Sequence, residues 1–345
     1  MDYAAIDLHK TASQIRILRE SGEVVDCRIP TTRDRLRTLF EPEARMRVLI
    51  EAATESEWVA QLIESLGHEV IVADTNYMPM YGERSRRVKT DRRDVTALAE
   101  ACQRGLYRPA HRRSMSQWAV QWHLGTRGQL IAMRTRSISL VRTMARMAGV
   151  HLSMSGNTDS FASRVEATEL PEATRRAIAP LLQVLPVLNA QIALADAYLA
   201  QLAHTDPAVQ RLMTLPGIGP VTATAFVAAL DDVTRFRSAG QVTSYLGLVP
   251  REYSSGELLR RGRIVPSAHP RVQMLLVEAA WRIWRMTNPQ TRPLRDWMRG
   301  VAQRRSKRIA AVALARRLAR ILFAMWRDEA DYAVTRIRDR RAAAA

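Results

Sequence analysis

The sequence predicts a mixed α/β domain followed by mostly helical regions, on three observations. Residues 1–74 hold short β-type apolar runs separated by turn residues, with helix-like segments alternating among the later ones. Beyond Arg108-Pro109 the apolar positions recur at spacings of three and four, the period of amphipathic helices. Hydrophobic residues make up 47% of 345 residues, enough for the cores of two or three domains and too many for a disordered chain.

Taken in order, Tyr3–Leu8, Gln14–Leu18 and Glu23–Ile29 read as three strands, with Ser21-Gly22 turning the second hairpin. A helix is expected from about Thr32 to Phe40. Arg47–Glu51 follows as a strand, and the nearly continuous apolar run from Met46 to Ile50 suits burial on both faces. Ser56–Leu66 reads as an amphipathic helix closed by Gly67, and Glu69–Asp74 as a fifth strand. The order β-β-β-α-β-α-β-α is the ribonuclease H pattern, a meander beside alternating strands and helices.

From Trp118 to Val150 a long helix is expected, with Ile131, Ile138, Val141, Ala145 and Ala148 on one stripe. A polar loop from Ser153 to Ser163 should separate it from a second helix starting at Pro180. There Leu185, Leu188, Ile192, Ala195, Leu199 and Leu202 form a heptad seam, suited to a helical hairpin, an oligomer contact or a plain bundle helix. From Asp206, the run Leu215-Pro-Gly-Ile-Gly-Pro-Val-Thr-Ala carries the helix-hairpin-helix signature, in which amides at a helix start grip a phosphate. A Gly-x-Gly turn is just as often a packing turn. A loop rich in turn formers is expected from Gly247 to Glu257, then Arg260-Arg-Gly-Arg, then a basic amphipathic helix over Val301–Arg327. The divisions are 1–110 for the α/β domain, whose last helices can extend to about 150, 111–205 for a helical coiled-coil or oligomerisation region, and 206–345 for a mostly helical domain with the helix-hairpin-helix.

Lys and Arg total 52 against 34 Asp and Glu, a formal net charge of +18, which points to a polyanionic partner. Arginine predominates over lysine, which favours bidentate phosphate contacts. Candidate nucleic-acid contacts are Gly217, Gly219, Arg251, Arg260, Arg261, Arg263, Arg271, Arg304, Arg305, Lys307 and Arg308. Cys27 and Cys102, the only two cysteines, lack metal or disulfide spacing, excluding a zinc finger and a disulfide scaffold. No leader or membrane span is read, so the expected location is the cytoplasm.

Four acids stand out in so basic a chain. Asp7 and Glu51 close predicted strands; Asp91 and Asp94, three apart, open a predicted helix and share one of its faces. Ligands of such sheets collect at strand carboxyl ends. Taken singly, Asp7 would be a turn acid, Glu51 an arginine partner, Asp91 an N-cap and Asp94 a first-turn acid. Together they read as an oxygen-only cage for Mg²⁺ or Mn²⁺ acting on phosphodiesters.

Ala-Ile-Asp-Leu-His-Lys, Ile-Glu-Ala-Ala and Val-Lys-Thr-Asp-Arg-Arg-Asp resemble the N-terminal half of the DEDD transposases of the IS-one-ten group of insertion sequences, also called bridge recombinases. Leu-Pro-Gly-Ile-Gly-Pro, Tyr245-Leu-Gly-Leu-Val-Pro-Arg-Glu-Tyr-Ser-Ser-Gly-Glu and Arg261-Gly-Arg-Ile resemble the C-terminal half, in the right order. The resemblance implies a RuvC-like domain with Asp7, Glu51, Asp91 and Asp94 as its acidic tetrad. It also implies a serine nucleophile at Ser255, with Ser254 as the fallback. Further implications are cutting and rejoining of donor and target DNA, a structured guide RNA, and a homo-oligomer, dimeric or tetrameric on DNA. From the residues alone, Ser-Gly is more often a turn. The chain departs from the family after Ile264, where Val-Pro-Ser-Ala-His-Pro-Arg replaces the usual Lys-x-Gly-Asn-Arg run; Arg271 takes the place of the arginine.

Overall fold

The computed structural model describes residues 1–81, 91–153, 156–255, 258–264 and 269–334. The chain forms two compact units, Met1–Arg113 and Ser114–Ala345.

In the first unit the meander comprises β1 (Tyr3–Asp7), β2 (Ala12–Leu18) and β3 (Val24–Pro30). Next come α1 (Arg33–Phe40), β4 (Arg47–Glu51), α2 (Ser56–Ser65), β5 (Glu69–Ala73) and α3 (Asp91–Arg104). This is the element order expected from the sequence. The sheet runs β3-β2-β1-β4-β5, antiparallel through the meander and parallel from β1 to β4 to β5.

Alternation along each strand divides the sheet into two faces. Ala4, Ile6, Ile15, Ile17, Val48, Ile50 and Val72 pack with Leu36, Phe40, Val59 and Ile63 of α1 and α2. Ala5, Leu49 and Ala73 point the other way and pack with Val95, Leu98, Ala99 and Cys102 of α3. Thr32 caps α1 by accepting from the Arg35 amide at 3.4 Å. Buried His68 ties two loops of the unit: its Nδ1 accepts from the Met46 amide at 3.3 Å, and its Nε2 donates to the Phe40 carbonyl at 2.9 Å.

The second unit begins with α4 (Met115–Met147), α5 (Phe161–Glu166) and α6 (Glu172–Thr205), followed by α7 (Pro207–Met213), α8 (Pro220–Leu230) and α9 (Ala239–Tyr245). A hairpin of β6 (Pro250–Ser255) and β7 (Leu258–Ile264) leads to α10 (Pro270–Arg285), α11 (Arg292–Arg304) and α12 (Lys307–Arg327). Its core joins Phe226 of α8, Leu276 and Ile283 of α10, and Leu314, Leu318 and Phe323 of α12.

Three expectations are corrected here. The loop drawn from Ser153 to Ser163 ends in α5, because Phe161, Ala162 and Val165 bury against Ile138, Val141, Ile178 and Leu182. The second long helix starts at Glu172 rather than Pro180 and holds Pro180 and Pro186 inside it. Each proline removes one amide donor, but both are exposed, so the freed carbonyls can face water. The segment read as a loop around Ser255 is largely strand: Ser254 pairs with Leu259 and Ser255 with Leu258.

Helices α4 and α6 form an antiparallel hairpin, shown by the Arg127–Asp196 ion pair and the Arg134–Asn189 hydrogen bond of 3.1 Å. The predicted seam faces inward: Leu185, Leu188, Ile192 and Leu199 are all buried. Helix α6 is nonetheless long and apolar enough to cross a membrane by length and composition, with a mean hydropathy of 1.7 in its most apolar stretch. The sequence reading had named no such segment. Packing against α4 uses one side of that apolar surface, and Val184, Val187, Leu194 and Tyr198 hold another outward.

Candidate catalytic site and nucleic-acid surface

Strand register brings two of the predicted acids together. Ile6 of β1 lies beside Ile50 of β4, so the next residues, Asp7 and Glu51, end adjacent parallel strands. Asp7 shares the parity of Ala5, and Glu51 that of Leu49, so both side chains belong to the face covered by α3. Asp94 stands one turn into α3, next to the core residue Val95. Asp7 and Asp94 are buried, at 7% and 6% exposure, while Glu51 is half-buried. Asp91 begins the helix, and its side chain lies outside the described residues. Among the described residues no three His, Cys, Asp or Glu side chains gather closely enough to hold an ion.

Carboxylates kept from water in the basic chain suit a hard divalent cation, since oxygen is the only donor type the four acids offer. His9, two residues past Asp7, brings its Nε2 to 3.5 Å from the Asp7 carboxylate.

The same register extends into the meander, which the sequence reading passed over. Gln14 of β2 is the cross-strand partner of Asp7, and Arg28 of β3 is the partner of Gln14. Glu51, Asp7, Gln14 and Arg28 therefore form one row across the sheet. One row inward, Arg16 and Asp26 face each other and make a two-toothed ion pair, both contacts 2.7 Å. Arg92, between the two acids of α3, reaches the same Asp26 at 3.5 Å. The hydrogen bond from Arg16 holds the Asp26 carboxyl below its ordinary range, against the opposing effect of burial. Only the pairing register between the strands reveals this row.

In the second unit the side chains of Ser254, Ser255, Arg260, Arg261 and Arg263 lie outside the described residues, as do residues 265–268 of the departed loop. Their strands are described: Ser255 ends β6, and Arg260, Arg261 and Arg263 lie on β7. Arg251 is exposed on β6. Arg271 lies in the first turn of α10, its guanidinium against two glycines of α4; a Cβ on Gly128 would meet its Nε at 3.4 Å and one on Gly125 its Nη2 at 3.7 Å. Burial lowers its pKa.

Gly217 has φ of 102°, and a Cβ there would sit 2.7 Å from Ile283 of α10. That glycine is required for packing and backbone geometry. Gly219 is the N-cap of α8, with open space where its Cβ would be. Arg304, Arg305, Lys307 and Arg308 are all exposed where α11 gives way to α12, around the capping Ser306.

A chain carrying 18 surplus positive charges on a layered sheet and an arginine-rich helical unit suits a DNA-processing enzyme, and the family comparisons give its class as transposase. Residues 4–147 match the DEDD family described as Transposase, and residues 209–295 match the Transposase IS116/IS110/IS902 family. A probable family 20 transposase of Pseudomonas aeruginosa is 31% identical over 332 residues, 95% of this chain and 97% of that protein. The transposase for insertion sequence element IS1328 of Yersinia enterocolitica is 27% identical over 79% of this chain and 81% of its own. That for IS1111A of Coxiella burnetii is 29% identical over 71% and 68%. The chain belongs to the IS110/IS116 family of insertion-sequence transposases, enzymes that move DNA, and its DEDD class implies use of a divalent metal.

Proposed function

We propose that the transposase cuts and rejoins donor and target DNA through Ser255, assisted by a divalent-metal site on Asp7, Glu51, Asp91 and Asp94. The observation that carries this reading is the adjacency of Asp7 and Glu51 on the face covered by the helix of Asp91 and Asp94. Bound there, Mg²⁺ or Mn²⁺ would stabilise charge on the attacking and leaving oxygens. The protein's own part is to hold carboxylates partly dry and oriented on rigid strands, so that little reorganisation is needed when phosphate arrives.

The hydroxyl of Ser255 attacks phosphorus, its proton passes to a base, and the 3′ oxygen leaves with the bond electrons. Once the leaving oxygen takes up a proton, the products are a phosphoserine ester at the 5′ end of one fragment and a free 3′ hydroxyl on the other. Because the ester conserves the bond, reversal with another 3′ hydroxyl rejoins DNA without a nucleotide cofactor. Ser254, which pairs with Leu259 one position earlier, is the alternative nucleophile.

Gly219, Arg251, Arg260, Arg261, Arg263, Arg271 and the Arg304–Arg308 cations belong, in this reading, to the surface that holds DNA and a structured guide RNA through backbone phosphates. The enzyme works in the cytoplasm, at the DNA it moves. It assembles as a homo-oligomer, since strand exchange needs more than one cut. The contact we assign is the outward face of the α4–α6 hairpin, not the inward seam. Trp122, Met133, Leu140 and Met147 of α4 and Val184, Val187, Leu194 and Tyr198 of α6 are exposed apolar residues. Both stripes are rotated about 130° from the contact line in the same sense. In an antiparallel pair this puts them on one side. Thr126, Gln129, Ser137 and Gln191 between them add no charge. The strip is about 38 Å long and two helices wide, roughly 700 Å² per copy, close to a standard interface.

Trapping tests the chemistry. Wild-type protein incubated with nicked DNA and Mg²⁺ should yield a covalent adduct at Ser255 by mass spectrometry, absent from Ser255→Ala and from Asp7→Asn. An adduct on Ser254 would move the nucleophile by one residue. Cleavage with no adduct would mean attack by water, and full cleavage in EDTA would remove the metal.

A further inference from the structure

We propose that Gln14 and Arg28 form a phosphate track that leads a DNA strand to Asp7 and Glu51, with Arg28 gripping a phosphate within three nucleotides of the one cut. The proposal rests on the catalytic reading of Asp7 and Glu51 and adds how substrate is held beside them. Register sets the order Glu51, Asp7, Gln14, Arg28 across four neighbouring strands. Strands lie about 4.8 Å apart, so Arg28 stands about 10 Å from Asp7. One strand of duplex DNA carries a phosphate for about every 3.4 Å of axis, so that distance spans up to three phosphates.

Face and access agree. Val25, Cys27 and Ile29 of β3 pack toward α1 and α2, which turns Arg28 to the face of Asp7. Helix α3 packs chiefly on β1, β2 and β4 and touches β3 through Arg92 and Asp26, and Arg28 is exposed. The other arginines that these strands place on the face are engaged, Arg16 with Asp26 and Arg47 with Glu69 at 3.1 Å. Among the described residues the Arg28 side chain has no carboxylate partner and the Gln14 side chain no hydrogen-bond partner. Arg92, 76% exposed and 3.5 Å from Asp26, borders the same strip from α3.

The residue types fit the task. One row inward, arginine opposite aspartate collapses into an ion pair across β2 and β3. An arginine at position 14 would do the same to Asp7 and neutralise the carboxylate. Glutamine beside Asp7 donates to a phosphate oxygen without adding a competing charge, and the cation is displaced one strand outward. The row therefore separates catalytic negative charge from substrate-holding positive charge by one neutral residue.

The test uses the full-length protein, any copurifying RNA retained, and a duplex carrying the element's terminal sequence. The cut is first mapped with wild type in Mg²⁺. Binding is then measured in Ca²⁺ on duplexes bearing a single neutral methylphosphonate at each phosphate near the cut. Wild type should lose about 10- to 100-fold in affinity at one or two positions within three nucleotides of the cut, the range of a charge-assisted contact. Arg28→Ala should lose the same factor on unmodified DNA, lose nothing more at those positions, and show a salt slope smaller by about one. Gln14→Ala should show a smaller loss at the same place, and Arg28→Lys should recover much of the affinity. Additive losses for Arg28→Ala and the methylphosphonate, or no sensitive position in that window, would overturn the track. Asp7→Asn separates the two ideas: it should bind with the wild-type interference pattern, and if it still cuts DNA the catalytic reading fails whatever Arg28 does.

Discussion

Leu188 and Leu194 lie six residues apart on α6 and should respond to substitution in opposite ways. Leu188 is 5% exposed and packs inside the hairpin; Leu194 is 63% exposed. Truncating a buried leucine to alanine costs about 2–5 kcal/mol, so Leu188→Ala should lower the melting temperature by several degrees. Leu194→Glu leaves the protomer's packing intact and should change its own stability by less than about 0.5 kcal/mol. In a two-fold assembly, however, the side chain is lost twice. Full burial of a leucine is worth about 1.5–3 kcal/mol. About two thirds of that remains to be gained at an interface, so the pair of losses amounts to about 2–4 kcal/mol, a roughly 30- to 700-fold weaker association. Sedimentation velocity across a concentration series reads the second effect and thermal melting the first. Unchanged mass for Leu194→Glu combined with Val187→Glu at every concentration, with normal folding, would refute assembly through this face.

Two further outcomes test the first unit. Burial pushes the Cys102 thiol up to about 12 and raises that of Cys27 as well, so both should react slowly with a disulfide reagent at pH 8 and fully once unfolded; fast native labelling of Cys102 would show that its site is open. Arg16 lowers the Asp26 carboxyl and Arg108 lowers that of Asp74, so their contribution is present above the ordinary 3.8 and fades as pH falls through the lower native values. Chemical denaturation at stepped acid pH should therefore show a shallower loss for Asp26→Asn plus Asp74→Asn than for wild type, and equal slopes would contradict it.

The strands of the first unit were legible because each carries the period-two pattern its two faces demand, as Ile15 and Ile17 alternate with Gln14 and Arg16. Asp7 and Glu51 stood out in the sequence by closing strands, and Asp91 and Asp94 by opening a helix. Gln14 and Arg28 were not, because a residue's place in a row depends on register between strands. The start of α6 was missed because prolines normally end helices, and only their exposed positions explain their tolerance here. Gly217 illustrates the same limit: the Gly-x-Gly turn is visible in sequence, but its close approach to Ile283 is a contact across 66 residues of chain. For Ser255, the turn formers nearby concealed a strand whose partner lies just beyond them.

Charge placement on α12 carries one last step of the argument. A helix N-terminus already bears positive partial charge, so cations in its first turn are unfavourable by about 0.3–1 kcal/mol each. Yet Lys307 and Arg308 occupy that turn, exposed, just after Arg304 and Arg305. The helix does not need them for its fold: Leu314, Leu318, Leu322 and Phe323 anchor it in the core, and Ser306 caps it through the Ile309 amide at 3.3 Å. A polyanion reverses the sign of the cost, since phosphate meets the side chains and the helix end together. Reversing two of these charges, Lys307→Glu with Arg308→Glu, should therefore stabilise the isolated protein slightly while weakening DNA binding and lowering its salt dependence. A variant that binds DNA as tightly as wild type would mean that these cations face solvent alone.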